Sequence, residues 1–208
     1  MLHIKTIEPG TFRILNELME MEGLASFNLV GGTALALQLG HRKSDDIDFF
    51  SDKDFDKRVV IDALKKIFST RFELRSKETN PLGVFGFIDN IKIDICKHVF
   101  SLIDGVIMED KIRMWSVKEI AAAKVHAISM RAKRKDFWDM DAILDFLSIE
   151  DITALYKKKY DPMLAIGVAQ ILVYFDEAEE SDSPVCLQGK TWTTVKKNIL
   201  KKINHQFK

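Results

Sequence analysis

Residues 31–50, Gly-Gly-Thr-Ala-Leu-Ala-Leu-Gln-Leu-Gly-His-Arg-Lys-Ser-Asp-Asp-Ile-Asp-Phe-Phe, leave this chain few ways to fold. Phe27, Asn28, Leu29 and Val30 read as a short buried strand, so Gly31 and Gly32 fall where the chain must leave a strand, turn sharply and start a helix. Backbone N–H groups at such a start point outward and can hold phosphate oxygens. Thr33 is placed to cap this helix and Gly40 to stop it. Asp46 and Asp48 then alternate onto one face of a second strand, while Ile47 and Phe49 take the other. Two carboxylates side by side repel unless a cation lies between them. Hard oxygen ligands that leave room for phosphates and water suit magnesium. Asp45 points to the opposite side and reads as a solvated or capping acid.

A third acid is expected on a neighbouring strand. In residues 91–95, Ile91, Ile93 and Ile95 alternate inward, and Lys92 and Asp94 share the other face. Asp94 joins Asp46 and Asp48 only if its strand lies beside the 46–50 strand, an arrangement the chemistry requires and periodicity alone does not show. Three carboxylates could carry two metal ions. Gly31, Gly32 and Thr33 would cradle phosphates; Ser44 would either bind phosphate or cap its turn. His41 and Arg42 would touch phosphate or acceptor, or hold the start of the strand by hydrogen bonds.

These residues resemble the AbiEii-type nucleotidyltransferases, toxins of abortive-infection, type IV toxin–antitoxin systems within the DNA polymerase beta-like nucleotidyltransferase superfamily. The family's Gly-Gly-Thr-Ala-Leu is similar to residues 31–35, and its His-Arg-x-Ser-x-Asp-Ile-Asp-Phe to residues 41–49, with Asp45 at the variable position. A later Lys-x-x-Ala-x-x-x-Arg segment ending in Lys-Asp-Phe-x-Asp is similar to residues 124–131 and 135–139. The likeness covers roughly residues 10–150.

The resemblance implies a magnesium-dependent enzyme, with two ions and manganese as a substitute, that moves a nucleoside monophosphate from a nucleoside triphosphate (NTP) onto an acceptor hydroxyl. It further implies an RNA acceptor, the 3′ end of tRNA, and a cognate antitoxin as partner. Lys124, flanked by Ile120, Ala123, Ala127 and Ile128 at helical spacing, would by itself read as a snorkelling edge residue; the resemblance gives it a catalytic, phosphate-binding role. Arg131 would line the same face and bind nucleotide. Asp136 and Asp139 suit the start of a helix. The resemblance makes one of them catalytic, Asp136 being the first choice, and any contact of Asp139 with Lys124 would run between helices. Two rivals share these motifs: a nucleotidyltransferase acting on a small molecule such as an aminoglycoside, and a nucleotide-sensing or antitoxin-binding module without turnover.

The expected fold class is α/β (α+β), with a mixed-sheet nucleotidyltransferase lobe over 1–110 and a helical lobe over 111–208 closing the cleft. A covering helix precedes the glycine turn, a helix with Phe55, Val59, Ala63, Leu64, Ile67 and Phe68 on its apolar face follows the Asp strand, and 72–74 resumes the sheet. Runs 81–87 and 91–99 form a hairpin turning at Asp89 and Asn90. After Gly105 no strand is expected, and helical patterns run over 116–131, 137–147, 162–175 and 191–207. Trp115, Trp138 and Trp192 read as packing residues.

The 208 residues balance 31 Lys and Arg against 31 Asp and Glu, so no global positive field draws in nucleic acid and any RNA contact must come from a local patch. Lys157, Lys158 and Lys159, with Lys196, Lys197, Lys201 and Lys202, could form one, or simply a solvated face. Cys96 and Cys186 lack metal-ligand spacing and fit a reduced protein. The start of the chain lacks the apolar run of a signal peptide and no stretch is long enough to span a membrane, so a cytoplasmic location with no membrane partner is expected.

Overall fold

The computed structural model describes all residues except 76, 78–79, 161–166 and 206–208. The helical pattern over 162–175 and the end of the pattern over 191–207 lie partly outside the described residues.

The glycine turn and the acid strand organise the fold as their composition demands. Strand β1 (Asn28–Leu29) runs into helix α2 (Gly31–Leu39), which stops at Gly40 in the left-handed conformation, φ 67°. Strand β2 (Ile47–Ser51) returns antiparallel to β1, with Ile47 and Phe49 in the core and Asp48 on the opposite face. Thr33 does not cap α2. It sits inside the helix, 1% exposed, and its hydroxyl donates to the Asp46 carbonyl oxygen and meets Ser44 Oγ at 2.9 Å. The helix starts at the first glycine, so Thr33 ties α2 to the chain leading into β2.

Helix α1 (Pro9–Met19) buries Ile14, Leu15 and Leu18. Helix α3 (Lys57–Phe68) is capped by Asp56, which accepts from the Arg58 N–H at 2.8 Å. Its core face is Val60, Ile61, Leu64 and Phe68; Val59 and Ile67 face solvent, because a stripe through Val60 and Leu64 leaves them beyond its edge.

Strands β3 (Phe72–Leu74), β4 (Gly83–Ile88) and β5 (Ile91–Lys97) complete one half of a mixed sheet. Asp89 and Asn90 both have positive φ, the backbone of a two-residue hairpin whose twist matches the strands. Strand β5 pairs in parallel with β2, and the register sets Asp94 opposite Asp48.

The sheet does not end at Gly105. Strands β6 (Val106–Glu109) and β7 (Ile112–Trp115) form a hairpin through Asp110 and Lys111, and β7 joins β1 in parallel. The strand order is β3-β4-β5-β2-β1-β7-β6. The expectation of no strand there is therefore corrected, and residue 110 lies within a hairpin. Lys111 is not a residue that advertises a left-handed turn, and half of β6 is exposed, so neither usual signal was present.

Helices α4 (Val117–Met130) and α5 (Arg134–Ile143) follow, then α6 (Ile149–Lys159), α7 (Val168–Val173) and α8 (Trp192–His205). Helix α6 lies outside the four expected helical patterns, and only its lysine-bearing end at 156–159 reads as helical from sequence. It opens on a reciprocal capping box between Ser148 and Asp151, a pattern readable in the sequence. Helices α4 and α5 pack on α2.

Candidate active site

The C-terminal side of β1, the start of α2, strands β2 and β5, and helix α4 enclose a cleft of about 650 Å³. Its lining includes Gly31, Gly32, Ser44, Asp46, Asp48, Asp94, Lys124, Arg131 and Asp136, so it gathers the sequence-derived candidates except Thr33. Lys92, Lys133, Lys135, Phe50 and Trp115 also line it.

Gly31 adopts φ 68°, and a Cβ there would lie 3.0 Å from Asp48 Oδ2. A Cβ on Gly32 would meet Arg42 Nη2 at 2.3 Å and Ser44 Oγ at 3.3 Å. The two glycines thus let an acid and a guanidinium approach the helix start, where first-turn N–H groups have no partner within the helix.

Asp48 and Asp94 are paired across the two parallel strands. Burial pushes the Asp48 carboxyl up to about 6; the Asp94 and Asp46 charges add to this and Lys92 offsets part of it. Lys92 Nζ lies 2.5 Å from Asp94 Oδ2, while Asp94 Oδ1 is buried without a hydrogen-bond partner. Asp46 stands at the edge, its Oδ2 3.5 Å from Lys135 Nζ. Asp45 is exposed.

These donors fit a hard divalent cation in chemistry: carboxylate oxygens on one wall of an open cleft, one of them buried and unpartnered. Among the described residues no three His, Cys, Asp or Glu side chains converge as a ready cage. Lysines pair with two of the acids, Lys92 with Asp94 and Lys135 with Asp46.

Behind the acids lies a buried ionic network. Asp139, fully buried, accepts from Arg42 Nε at 2.6 Å, Arg42 Nη2 at 2.9 Å and His41 Nε2 at 2.7 Å, and Lys124 Nζ is 2.5 Å from its Oδ2. Burial alone would raise the Asp139 carboxyl, but Arg42 and Lys124, with the His41 and Arg42 hydrogen bonds, hold it well below the usual range. Lys124 also donates to Asp136 Oδ1 at 2.7 Å. Burial would lower the Lys124 ammonium, yet Asp139 and Asp136 together raise it.

The loop carrying His41 and Arg42 is fixed from the other side as well. Lys43 N–H donates to the Val185 carbonyl at 2.8 Å and Leu187 N–H to that of His41 at 3.0 Å. His41 and Arg42 therefore hold the approach to β2, one of the two readings open from sequence. Lys124 is no edge residue; it is 7% exposed, and its contact with Asp139 does run between α4 and α5. Asp136 lines the cleft with Oδ2 unpartnered, while Asp139 is enclosed behind it. Sequence reasoning assigned no role to Lys92, although its place two residues before Asp94 on the same face was visible.

A family model described as the nucleotidyl transferase AbiEii toxin, type IV toxin–antitoxin system, matches residues 13–165. An uncharacterized protein of Aquifex aeolicus (strain VF5) is 31% identical over 160 residues, covering 74% of this chain and 76% of that one. Among solved structures, a candidate nucleotidyltransferase from H. pylori superposes with a TM-score of 0.57 at 17% identity, over 95% of each chain. MenT4, a nucleotidyltransferase toxin from Mycobacterium tuberculosis H37Rv, gives 0.55 at 14% identity, over 91% of this chain and 81% of that one. These two structural likenesses concern the fold.

Proposed function

The chain belongs to the AbiEii nucleotidyl transferase toxin family of type IV toxin–antitoxin systems, and on that premise we propose that it is a magnesium-dependent toxin that adds nucleotides to the 3′ end of tRNA. That it is a nucleotidyltransferase follows from the family. The observation that supports metal-assisted transfer is the opposition of Asp48 and Asp94 on parallel strands beside the Gly31 turn; the tRNA acceptor rests on the family resemblance alone.

In this reading the N–H groups of Gly31, Gly32 and Thr33 hold triphosphate oxygens, with Ser44 at the side. Asp46, Asp48 and Asp94 would hold two magnesium ions, which when bound would neutralise phosphate charge and make the acceptor oxygen a better nucleophile. The acceptor hydroxyl attacks the α-phosphorus, its proton passes to Asp94, the bond to the β-phosphate oxygen breaks and pyrophosphate leaves. Lys124 donates one N–H to Asp136 and forms an ion pair with Asp139, and an N–H remains for a phosphate oxygen. Asp136 orients that ammonium from the cleft side. The catalytic lobe runs through β7, and helices α4 to α8 form the lobe that closes the cleft. An antitoxin would be its protein partner.

The test is incubation with magnesium, each labelled NTP in turn and total cellular RNA. Label in tRNA-sized species is expected. Label only in protein, or only in an added aminoglycoside, assigns a different acceptor. Binding of NTP with no acceptor labelled favours the sensing module.

A further inference from the structure

We infer that Lys92 is a tethered cation standing among Asp46, Asp48 and Asp94, so that a divalent ion enters this site by exchanging with the Lys92 ammonium. The inference rests on the reading of those acids as the metal site and adds a residue to it.

The placement follows from strand geometry. Lys92 and Asp94 lie two apart on β5 and so share a face, and that face looks into the cleft floored by Asp48. Nζ is 2.5 Å from Asp94 Oδ2. Asp48 and Asp46 act on the same ammonium through their charges. Three carboxylates in a partly desolvated cleft need a positive charge nearby, and Lys92 supplies one from within the chain. Lys92 contacts Asp94 alone of the three, with its side chain partly exposed.

The same geometry lets the ammonium leave. Its side chain is 31% exposed and reaches the acid on a flexible four-carbon stem. The hydrogen bond to Asp94 occupies one of the two oxygens an ion would use; the other, Oδ1, is buried and unpartnered. Displacing Lys92 therefore frees Asp94 Oδ2 beside the unpartnered Oδ1 without moving a strand. A released ammonium remains tethered in the cleft, where triphosphate charge is its next partner. Lys92 is a positioning residue: it acts through Asp94.

The test is titration of manganese, followed by loss of the free-ion electron paramagnetic resonance signal, into nucleotide-free protein. The chains compared are wild type, Lys92→Gln, Lys92→Arg, Lys133→Gln and Asp94→Asn, each checked for folding by circular dichroism and melting. Breaking one charge-assisted contact on a partly exposed pair is worth roughly three- to tenfold in affinity. Lys92→Gln should bind manganese tighter by that factor, and Lys92→Arg should not. Lys133 lines the cleft and, among the described residues, makes no ion pair with Asp46, Asp48 or Asp94, so Lys133→Gln reports the general effect of removing a positive charge. Equal tightening in Lys133→Gln and Lys92→Gln would overturn the exchange, as would unchanged or weaker binding in Lys92→Gln while wild type binds and Asp94→Asn does not. Absence of binding in wild type and Lys92→Gln alike would instead overturn the metal-site reading beneath it.

Discussion

Lys124 on α4 and Asp139 on α5 meet with Nζ 2.5 Å from Oδ2, in a place where neither side chain reaches solvent appreciably. Arg42, from the loop before β2, closes on the same carboxylate. One buried acid thus fixes the three segments that shape the cleft. Removing a single partner of such a network leaves uncompensated buried charge. Asp139→Asn should lower stability by about 3–5 kcal/mol, read as a fall in the denaturation midpoint at unchanged slope. Asp136→Asn should cost clearly less, because one Asp136 oxygen already lacks a partner.

The same carboxylate sets an acid limit. Its folded-state pKa lies well below the usual 3.8, so its contribution is complete above the unfolded value and is lost as pH falls through the folded one. The stability gap between wild type and Asp139→Asn should be flat above about pH 5 and narrow below about pH 4. A gap that stays constant down to pH 2 would show that the Asp139 charge does not matter.

Asp48 and Asp45 separate the strand register from mere acidity. Asp48 faces Asp94 across β2 and β5, whereas Asp45 is exposed before β2 begins. Asp48→Asn should reduce transfer by about 100-fold or more, the scale of losing one preorganised electrostatic group, with the fold intact. Asp45→Asn should stay within about twofold, since surface changes away from a site perturb little. Equal losses in the two variants would overturn the reading of Asp45 as an acid outside the site, and Asp45→Asn as damaging as Asp46→Asn would put the strand register off by one.

Much of this arrangement was legible because short-range rules sufficed. The strand, glycine turn and helix at 27–40 and the alternation of Asp48 with Phe49 are local patterns, and the pairing of β2 with β5 followed from asking where three acids could meet. What escaped depended on distant packing. Lys124 has the spacing of an edge residue, and only the arrival of α5 with Asp136 and Asp139 buries it. Thr33 is a sound cap by type, but α2 begins two residues earlier and its hydroxyl goes to Asp46. Strands β6 and β7 carry a weak local signal and are held by pairing with β1.

His98 gives a second pH effect, away from the acids. It stacks on Phe50, meets Trp115 edgewise and lies tilted against Phe100, and burial, with the Lys159 charge adding, pushes it down to about 4 from 6.5. Glu119 and Asp52 pull the other way and His126 adds to the lowering. The unfolded chain takes up a proton below pH 6.5 that the native ring refuses, so the His98 contribution should lower stability as pH drops from 6.5 to 4 and change no further below that. The loss should be about 1–2 kcal/mol after allowing for partial exposure. His98→Phe should flatten that part of the profile; an unchanged profile would assign the slope to other groups.

The proposed RNA acceptor has two sets of cations to choose between. Of the lysines that could have formed an RNA patch, Lys159 is buried against Glu119, Lys158 donates to the Ile103 carbonyl, and Lys196 and Lys202 pair with Glu179 and Asp145. Beside the acids, by contrast, Arg131, Lys133 and Lys135 line the mouth of the cleft. Asp176, Glu177 and Glu180 border the same turn and confine this positive surface to a small area. An RNA 3′ end held there would make few phosphate contacts, in keeping with zero net charge. Arg131→Ala with Lys133→Ala should weaken RNA binding and lower the slope of log affinity against log salt by roughly 1.4, about 0.7 per single-strand phosphate contact. Lys197→Ala with Lys201→Ala should leave that slope unchanged. If Arg131 serves the nucleotide instead, the Arg131→Ala single variant will raise KM for NTP and leave the salt slope for RNA where it was.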